Sequence, residues 1–495
     1  MELFSQKKIT PLLLLQLLLL ASLPILPCFN DLGKLPIRIW DEARQAHNAY
    51  EMYFNHNYWV PTFDGLPDTF GTKPAILIWM QVWSMKLFGI NEFAVRFPSA
   101  ASTWLLSVIV MLFVWKYFQN YGIALLAGII LLSSEGLIRT HVARTGDFDA
   151  PLALFSGLAC LSFFVFLDSG KKMYWYFTCI CLALGVLMKG TAGVLFVPSL
   201  IIFALIQKQF IALLKSKHTY LGIIIFLALV MGYYFIRNAY QPGYLNLVIK
   251  AEWQSMYLKP AQGHSEEFWF YGLNLINRLF KGYFIYIPLS FIALFLIKNE
   301  RVKKIGWFCL CCLIGFFLII SFSATKLPWY DAPMYSLLAV FCVLIFYTAF
   351  QITIKENQIQ WINIMIVIVS FGYGFSKIKP KIINVQEDYQ EKYFYNMATY
   401  LQKANSTNEN LDGYKILSGQ SYAPHHTFYI KQMQARSQNV KAVVFDSIYV
   451  NDLVMVAETN IQEILLQKYY TTELRHENDI FAYRLDSLKT HDTSK

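Results

Sequence analysis

Apolar runs of membrane-spanning length recur along most of the chain, separated by short polar segments. A helix needs roughly 20 predominantly apolar residues to cross the hydrocarbon core. About eleven stretches approach that length, near 10–28, 93–117, 121–138, 149–167, 173–189, 191–206, 219–236, 282–297, 305–323, 332–351 and 360–376. The segment 74–90 is apolar but short, ends at Gly89 and contains Lys86, which predicts an amphipathic helix lying on the membrane surface. The pattern changes after residue 376. Short apolar runs, Val443-Val444-Phe445 and Leu453-Val454-Met455-Val456, then alternate with helix-like polar stretches and predict a small α/β domain. The expected fold class is an α-helical polytopic membrane protein with a transmembrane domain over 1–376 and a small soluble C-terminal α/β domain over 377–495.

The first apolar run follows Lys7 and Lys8 and has the outline of a signal peptide. It has no A-x-A-like site and further spans follow, so an uncleaved first transmembrane helix is expected. Composition agrees with the membrane reading. Charged residues make up 15% of the chain, against roughly 25% in soluble domains.

The formal net charge of +10 reads as topology rather than as a nucleic-acid surface, because no compact basic module is visible. With Lys7 and Lys8 inside, the inner loops hold Lys116, Lys171 with Lys172, Lys208 with Lys215 and Lys217, Lys298 with Arg301, Lys303 and Lys304, and Lys355. Each is short and basic, as cytoplasmic loops are. The loop 29–92, the connector 139–148, the loop 237–281, the turn 323–331 and the tail 377–495 then face outside. None of the eight cysteines lies in that tail, so no disulfide framework is expected.

The polar residues that apolar helices do not explain gather on that outer side. Asp41, Glu42 and Arg44 open a helix expected over 41–55. Lys73 precedes Pro74 at the start of the surface helix. Asp147 and Asp149 stand at the mouth of a spanning helix, where a single N-cap would need only one of them. Lys326 and Tyr330 flank Pro328 at another outer helix end. Carboxylates that accept a proton and cations that stabilise a leaving phosphate are what transfer from a lipid phosphate requires.

Several strings occur together: Asp41-Glu42-x-Arg44, Asp64-Gly65-x-Pro67, Lys73-Pro74, Lys86-Leu87-Phe88-Gly89-x-Asn91-Glu92-x-Ala94-x-Arg96-x-Pro98-Ser99-Ala100, Met188-Lys189-Gly190 and Lys326-Leu327-Pro328-Trp329-Tyr330. In combination they resemble the GT-C glycosyltransferases of the protein O-mannosyltransferase type, a group that includes the lipid A aminoarabinose transferases. The resemblance covers roughly 1–350 and is strongest over 40–100. It implies a GT-C fold, a polyprenyl-phosphate sugar as donor and transfer with inversion. It implies Asp41 as general base and Asp149 as a second acid beside acceptor or base. Arg44, Lys73, Lys326 and Tyr330 match positions that touch the donor phosphate. Glu42, Asp147 and His264 fall where they would support the acceptor or the site.

In the aminoarabinose transferases a Glu before the Lys-Pro pair and a later His can hold a metal. Thr72 stands at the first position here and is a poor ligand, whereas His264 remains with Glu266 and Glu267 nearby. A divalent metal is therefore an option rather than a requirement, and no other cofactor is expected. Gln45 also replaces a Tyr that often follows the Arg.

The expectation is an enzyme of a bacterial inner membrane with its site and C-terminal domain in the periplasm. Its partners would be membrane lipids, the lipid-linked donor and a glycan, lipid or protein acceptor, with no nucleic acid. Two other readings share the architecture. A ligase or polymerase of diphosphate-linked glycans would usually need a metal. A flippase or transporter would place its ionisable residues nearer the bilayer midplane.

Overall fold

The computed structural model describes residues 10–251, 266–355, 360–419 and 422–489. The chain begins with α1 (Pro11–Ser22) and α2 (Ile25–Phe29), followed by α3 (Asp41–Asn55), the two-residue strands β1 (Thr62–Phe63) and β2 (Leu66–Pro67), and α4 (Ile76–Phe88). The bundle continues with α5 (Glu92–Phe118), α6 (Tyr121–Leu132), α7 (Asp149–Ser169), α8 (Lys172–Lys189), α9 (Val197–Ile206), α10 (Phe210–Lys215), α11 (Lys217–Tyr240) and α12 (Tyr244–Ile249). It closes with α13 (Phe270–Asn274), α14 (Tyr286–Leu296), α15 (Glu300–Phe322), α16 (Tyr335–Lys355) and α17 (Gln360–Ile382).

Among the described residues, seven helical stretches are long and apolar enough to cross a membrane: Pro11–Phe29, Glu92–Phe118, Asp149–Ser169, Lys172–Val194, Lys217–Tyr240, Glu300–Phe322 and Pro328–Gln351. This is a multi-pass membrane protein. Three of the expected spans come out short. The run 121–138 stops at Leu132, where the Ser134 hydroxyl turns back to the Leu131 carbonyl at 2.8 Å and the chain leaves the helix. The run 191–206 opens with a tight turn over Gly190–Val194 and resumes as α9 with Pro198 in its first turn. The run 282–297 is helical only over Tyr286–Leu296. A 12-residue helix rises about 18 Å, less than the hydrocarbon thickness of roughly 30 Å. The helix α17 continues beyond 376 to Ile382.

The expected surface helix is α4. It buries Leu77, Ile78, Val82 and Met85 and leaves Trp83, Lys86 and Leu87 exposed. Lys86 reaches the Tyr58 hydroxyl at 3.1 Å.

The remaining chain forms α18 (Tyr389–Ser406), β3 (Tyr414–Leu417), α19 (Pro424–Gln434), β4 (Lys441–Val443), β5 (Leu453–Val456), α20 (Thr459–Lys468), β6 (Tyr469–Glu477) and β7 (Ile480–Leu488). Its five strands lie in the order β4-β3-β5-β7-β6. β3 runs parallel to β4 and β5, while β7 runs antiparallel to β5 and β6. The helices of this segment share one apolar core with the first loop: Ile37, Ala43 and Met52 pack with Tyr395, Phe428, Tyr429 and Met433. Polar groups stitch the same interface. The Ile37 and Ile39 amides donate to the hydroxyls of Tyr429 (3.0 Å) and Tyr395 (3.2 Å), and the Tyr429 hydroxyl donates to Glu92 at 2.6 Å.

Candidate active site

The site is assembled around one buried ion pair. Gly89 adopts φ +80, and the Asn91 side chain caps α5 by accepting from the Ala94 amide at 2.9 Å. Arg96 follows within the helix and is buried. Its guanidinium donates to both carboxylate oxygens of Glu42, Nε to Oε1 at 2.7 Å and Nη2 to Oε2 at 3.0 Å. It also donates to the carbonyls of Leu32, Leu35 and Pro36 at 2.9, 2.8 and 2.7 Å. Glu42 accepts two further bonds, from the Arg38 amide (2.8 Å) and the Gly146 amide (2.9 Å). Burial opposes ionisation of Glu42, but Arg96 and these backbone donors outweigh it and hold the carboxyl below its usual range. Gly146 must stay a glycine here, since a Cβ would lie 2.7 Å from Val95 Cγ1 and 2.8 Å from Gln81 Nε2. Glu42 therefore ties α3, α5 and the 133–148 connector to one point.

That connector carries two polar groups towards Asp41. Asp41 is exposed in the first turn of α3, behind Trp40, whose φ of 71° and ψ of −116° is a strained conformation for a bulky residue. His141 also has positive φ (64°) and stacks on Trp329 with ring centroids 3.8 Å apart. Thr145 orients this turn: its hydroxyl accepts from the His141 amide and donates to Asp147 Oδ2, both at 2.6 Å. The His141 Nδ1 lies 3.6 Å from Asp147 Oδ2.

Burial, then the charge of Asp41, raises the Asp147 carboxyl well above its usual value, and burial lowers His141. Ligand atoms of Asp41, His141 and Asp147 all lie within 4.8 Å of one another, a spacing that could hold a cation.

The second acid has a different task from the one its position in the chain suggests. Asp149 begins α7, yet its carboxylate caps no helix amide. Instead it grips the Lys189 ammonium at 2.5 and 2.6 Å, with both groups buried. Lys189 ends α8, where the chain folds back so closely that a Cβ on Gly193 would sit 2.2 Å from the Gly185 carbonyl carbon. The Lys189 Nζ lies 4.7 Å from the centroid of the Tyr330 ring. Asp149, Lys189 and Tyr330 stand at the polar end of a cleft whose walls include Leu152, Leu195, Phe316, Ile319 and Ile320.

Two more of the expected cations border this region. Lys73 is half-buried and near enough for its charge to act on Asp149. Its backbone is clamped by the buried Arg237, which donates to the Lys73 carbonyl at 2.9 Å, and by the Tyr233 hydroxyl, which accepts from the Ala75 amide at 2.6 Å. Lys326 is buried and donates to the carbonyls of Glu266 (2.9 Å) and Ser323 (2.8 Å).

Arg44 lies apart from these. The turn Asp64-Gly65 has φ of 51° and 78°, the two positive values of a tight two-residue hairpin between β1 and β2. The hairpin delivers Asp68 to Arg44, which holds it bidentately (Nε–Oδ2 2.9 Å, Nη2–Oδ1 2.5 Å). The guanidinium is sandwiched between Phe63 and Phe70, 4.7 and 4.6 Å from their centroids. Tyr422 closes the group from the C-terminal segment. Its hydroxyl accepts from Arg44 Nη1 at 3.3 Å and its ring stacks on Trp40 at 5.5 Å.

The structure thus brings Asp149 and Tyr330 together at the cleft with Lys189, sets Asp41 and Asp147 close to one another and Lys73 near Asp149, gives Glu42 an organising position and places Arg44 in an ion pair with Asp68. His264 lies outside the described residues. Thr72 is buried; its amide donates to the Phe70 carbonyl at 3.0 Å and its carbonyl accepts from the Tyr244 hydroxyl at 2.8 Å, and a threonine supplies no carboxylate at that position. Sequence reasoning noted Lys189 only as part of a string. A lysine ending an apolar helix is a signal in itself, because ionisable groups within spans need a partner and a purpose. His141 and Tyr422 carried no such signal.

Comparison with known proteins places this arrangement. Residues 72–234 match the family described as dolichyl-phosphate-mannose-protein mannosyltransferase. An uncharacterized protein of Aquifex aeolicus (strain VF5) is 27% identical over 325 residues, 65% of this chain and 62% of that protein. The undecaprenyl phosphate-alpha-4-amino-4-deoxy-L-arabinose arabinosyl transferase of Aeromonas salmonicida (strain A449) is 29% identical over 247 residues, 48% of this chain and 44% of that enzyme. The chain thus spans roughly half to three fifths of the length of these relatives.

The crystal structure of ArnT from Cupriavidus metallidurans bound to undecaprenyl phosphate superposes with a TM-score of 0.69 at 15% identity, covering 94% of this chain and 97% of that one. The resemblance read from the sequence is borne out: the chain has the GT-C fold and is related in sequence to the mannosyltransferase and aminoarabinose-transferase group.

Proposed function

We propose that the protein transfers a sugar from a polyprenyl-phosphate donor to an acceptor hydroxyl or phosphate oxygen, with inversion, on the outer face of a bacterial inner membrane. The observation that carries this reading is the cleft lined by Asp149, Lys189 and Tyr330. It is apolar along its walls and holds the Asp149–Lys189 ion pair at one end with the Lys73 charge near it, which matches a ligand with a hydrocarbon tail and a phosphate head. The two relatives above whose printed names include undecaprenyl phosphate support the same donor class. The basic inner loops support an outward-facing site, and the C-terminal segment then lies in the periplasm with it.

In this reading Asp41 accepts the acceptor's proton as the acceptor oxygen attacks the anomeric carbon. The bond from that carbon to the phosphate oxygen breaks in the same displacement, and the electron pair leaves with the polyprenyl phosphate. Lys73, Lys326 and Lys189 stabilise the charge that grows there, and Tyr330 borders it. Preorganised cations of this kind are often the largest catalytic term. Asp149 holds Lys189 in place, and Asp147 with His141 shapes the floor beneath Asp41. No step passes through a metal.

The test supplies purified protein with radiolabelled polyprenyl-phosphate sugars and envelope extract, and follows label leaving the carrier. Transfer by wild type, abolished in Asp41→Asn with donor binding retained, supports the reading. Equal transfer by both proteins removes Asp41 as the base, and transfer from no donor removes the reaction.

A further inference from the structure

The 133–148 connector has a second face. Opposite His141 and Asp147 it closes another cavity, between the ends of α2, α6 and α17 and the turn that follows α13. Its lining carries the cations Arg38, Arg96, Arg139, Arg144, Arg278 and Lys381 and the acids Asp31, Glu135, Asp388 and Glu391. Three of the cations are neutralised: Arg96 by Glu42, Arg38 by Glu387 at 2.6 Å, and Lys381 by Glu135 at 2.8 Å. Arg139, Arg144 and Arg278 form no ion pair among the described residues.

Arg144 directs its guanidinium at the carbonyls of Pro27, Cys28 and Asn30. Arg139 keeps a buried Nη1 with no acceptor. Asp331, whose charge reaches Arg139, already accepts from Tyr335 at 2.9 Å. A buried guanidinium with no carboxylate in direct contact is only partly compensated. Burial accordingly lowers Arg139, and burial together with Arg96 takes Arg144 down to about 10.

We propose that this cavity binds a phosphate ester, gripped by Arg139 and Arg144 with Arg278 at its mouth. A guanidinium fork matches the geometry of phosphate oxygens. Three arginines suit a group with several oxygens and up to two charges better than a single carboxylate. The cavity sits where three helices of the bundle end, so the phosphate has two sources: a membrane lipid headgroup or a phosphate free in solution. Thr145 lines this cavity and, from the same position, bonds Asp147 and the His141 amide. An occupant therefore stiffens the floor of the site across the connector. The inference stands apart from the transfer reaction, because the cavity uses none of the cations assigned to the donor phosphate.

The experiment uses the full chain in a maltoside detergent free of phosphate. Inorganic phosphate and a short-chain phosphatidic acid are titrated separately against a chloride control, reading Kd and thermal unfolding. Wild type is expected to bind at least one probe saturably. The Arg139→Gln/Arg278→Gln variant should bind about tenfold or more weakly, a difference of about 1.4 kcal/mol. Lys73→Ala should bind as wild type does, which separates this site from the donor's. Without added anion the double variant should unfold at or above the wild-type temperature, since it lacks a charge that is only partly compensated. Preference for phosphatidic acid names the lipid headgroup, and equal affinity for both names phosphate itself. Wild-type affinity in the double variant, or no binding above chloride in wild type, overturns the proposal.

Discussion

The Asp149 carboxylate holds the Lys189 ammonium through both of its oxygens, at 2.5 and 2.6 Å, with both side chains buried. Breaking such a pair from one side leaves the other charge without compensation, at a loss of about 3–5 kcal/mol. Asp149→Asn and Lys189→Met should each lower the unfolding temperature strongly, and the double variant should recover most of the loss. Transfer should not recover, because the ammonium beside Tyr330 is gone. A double variant as active as wild type would remove Lys189 from the mechanism. The measurement pairs thermal unfolding in detergent with the transfer assay.

Asp41 and Lys73 should separate kinetically. Asp41→Asn removes the proton acceptor but keeps the shape, so kcat should fall by about 10²–10⁴ with little change in donor KM. Lys73→Ala removes a charge proposed to meet the phosphate before and during bond breaking. It should raise donor KM as well as lower kcat, with kcat/KM down by about 10²–10³. Steady-state kinetics over a donor series decides the matter, and a reversed pattern would exchange the two roles.

Arg44 offers a test of whether an ion pair in the structure persists with substrate. Asp68 has no exposed side-chain surface and depends on Arg44 for its counter-charge. Arg44→Met alone should destabilise by about 3–5 kcal/mol, and Arg44→Met/Asp68→Asn should fold far better. If donor affinity in that double variant equals wild type, Arg44 is a brace for the hairpin. If affinity falls tenfold or more while stability is regained, Arg44 turns to the phosphate.

The C-terminal segment should respond to acid. His425 and His426 are buried side by side, ring centroids 4.1 Å apart, and their ring nitrogens have no hydrogen-bond partner among the described residues. Burial, aided by His426, lowers His425 to about 2, and burial lowers His426 to about 4. Both values lie below the unfolded value of about 6.5. The stability they contribute is therefore present above that pH and is lost as pH falls through it towards 4. The slope should approach about 1.4 kcal/mol per pH unit for each ring. Unfolding curves from pH 7.5 to 4.5 should show a steep loss in wild type and a shallower one in His425→Phe/His426→Leu. Parallel curves would show that the pair does not set the acid limit.

Much of this was legible in the chain. The helix over 76–88 and seven of the spans follow from apolar pattern and length, and the extent of α3 from its acidic start. Gly89, Asn91 and Arg96 could be seen as a recurring string, but their work could not. Arg96 acts through Glu42, fifty-four positions away in the chain, and periodicity says nothing about contacts at that range. The same limit hid the partner of Asp149, because an acid at a helix start looks like a cap until the opposing helix is in place. Arg44 and Asp41 lie three apart and suggest a shared target. The hairpin at Asp64-Gly65 separates them by bringing an acid to only one of the two.

The bonds between the first loop and the C-terminal segment have a consequence for biosynthesis. The Ile37 and Ile39 amides, just upstream of Asp41, are satisfied by tyrosines 392 and 356 residues further along the chain. Translation runs from the N-terminus, so the first loop is made long before Tyr395 and Tyr429 exist. Until they arrive, those amides can only bond water, and Glu92 lacks its hydroxyl donor. The loop bearing the proposed base thus completes its fold only when nearly the whole protein has been made.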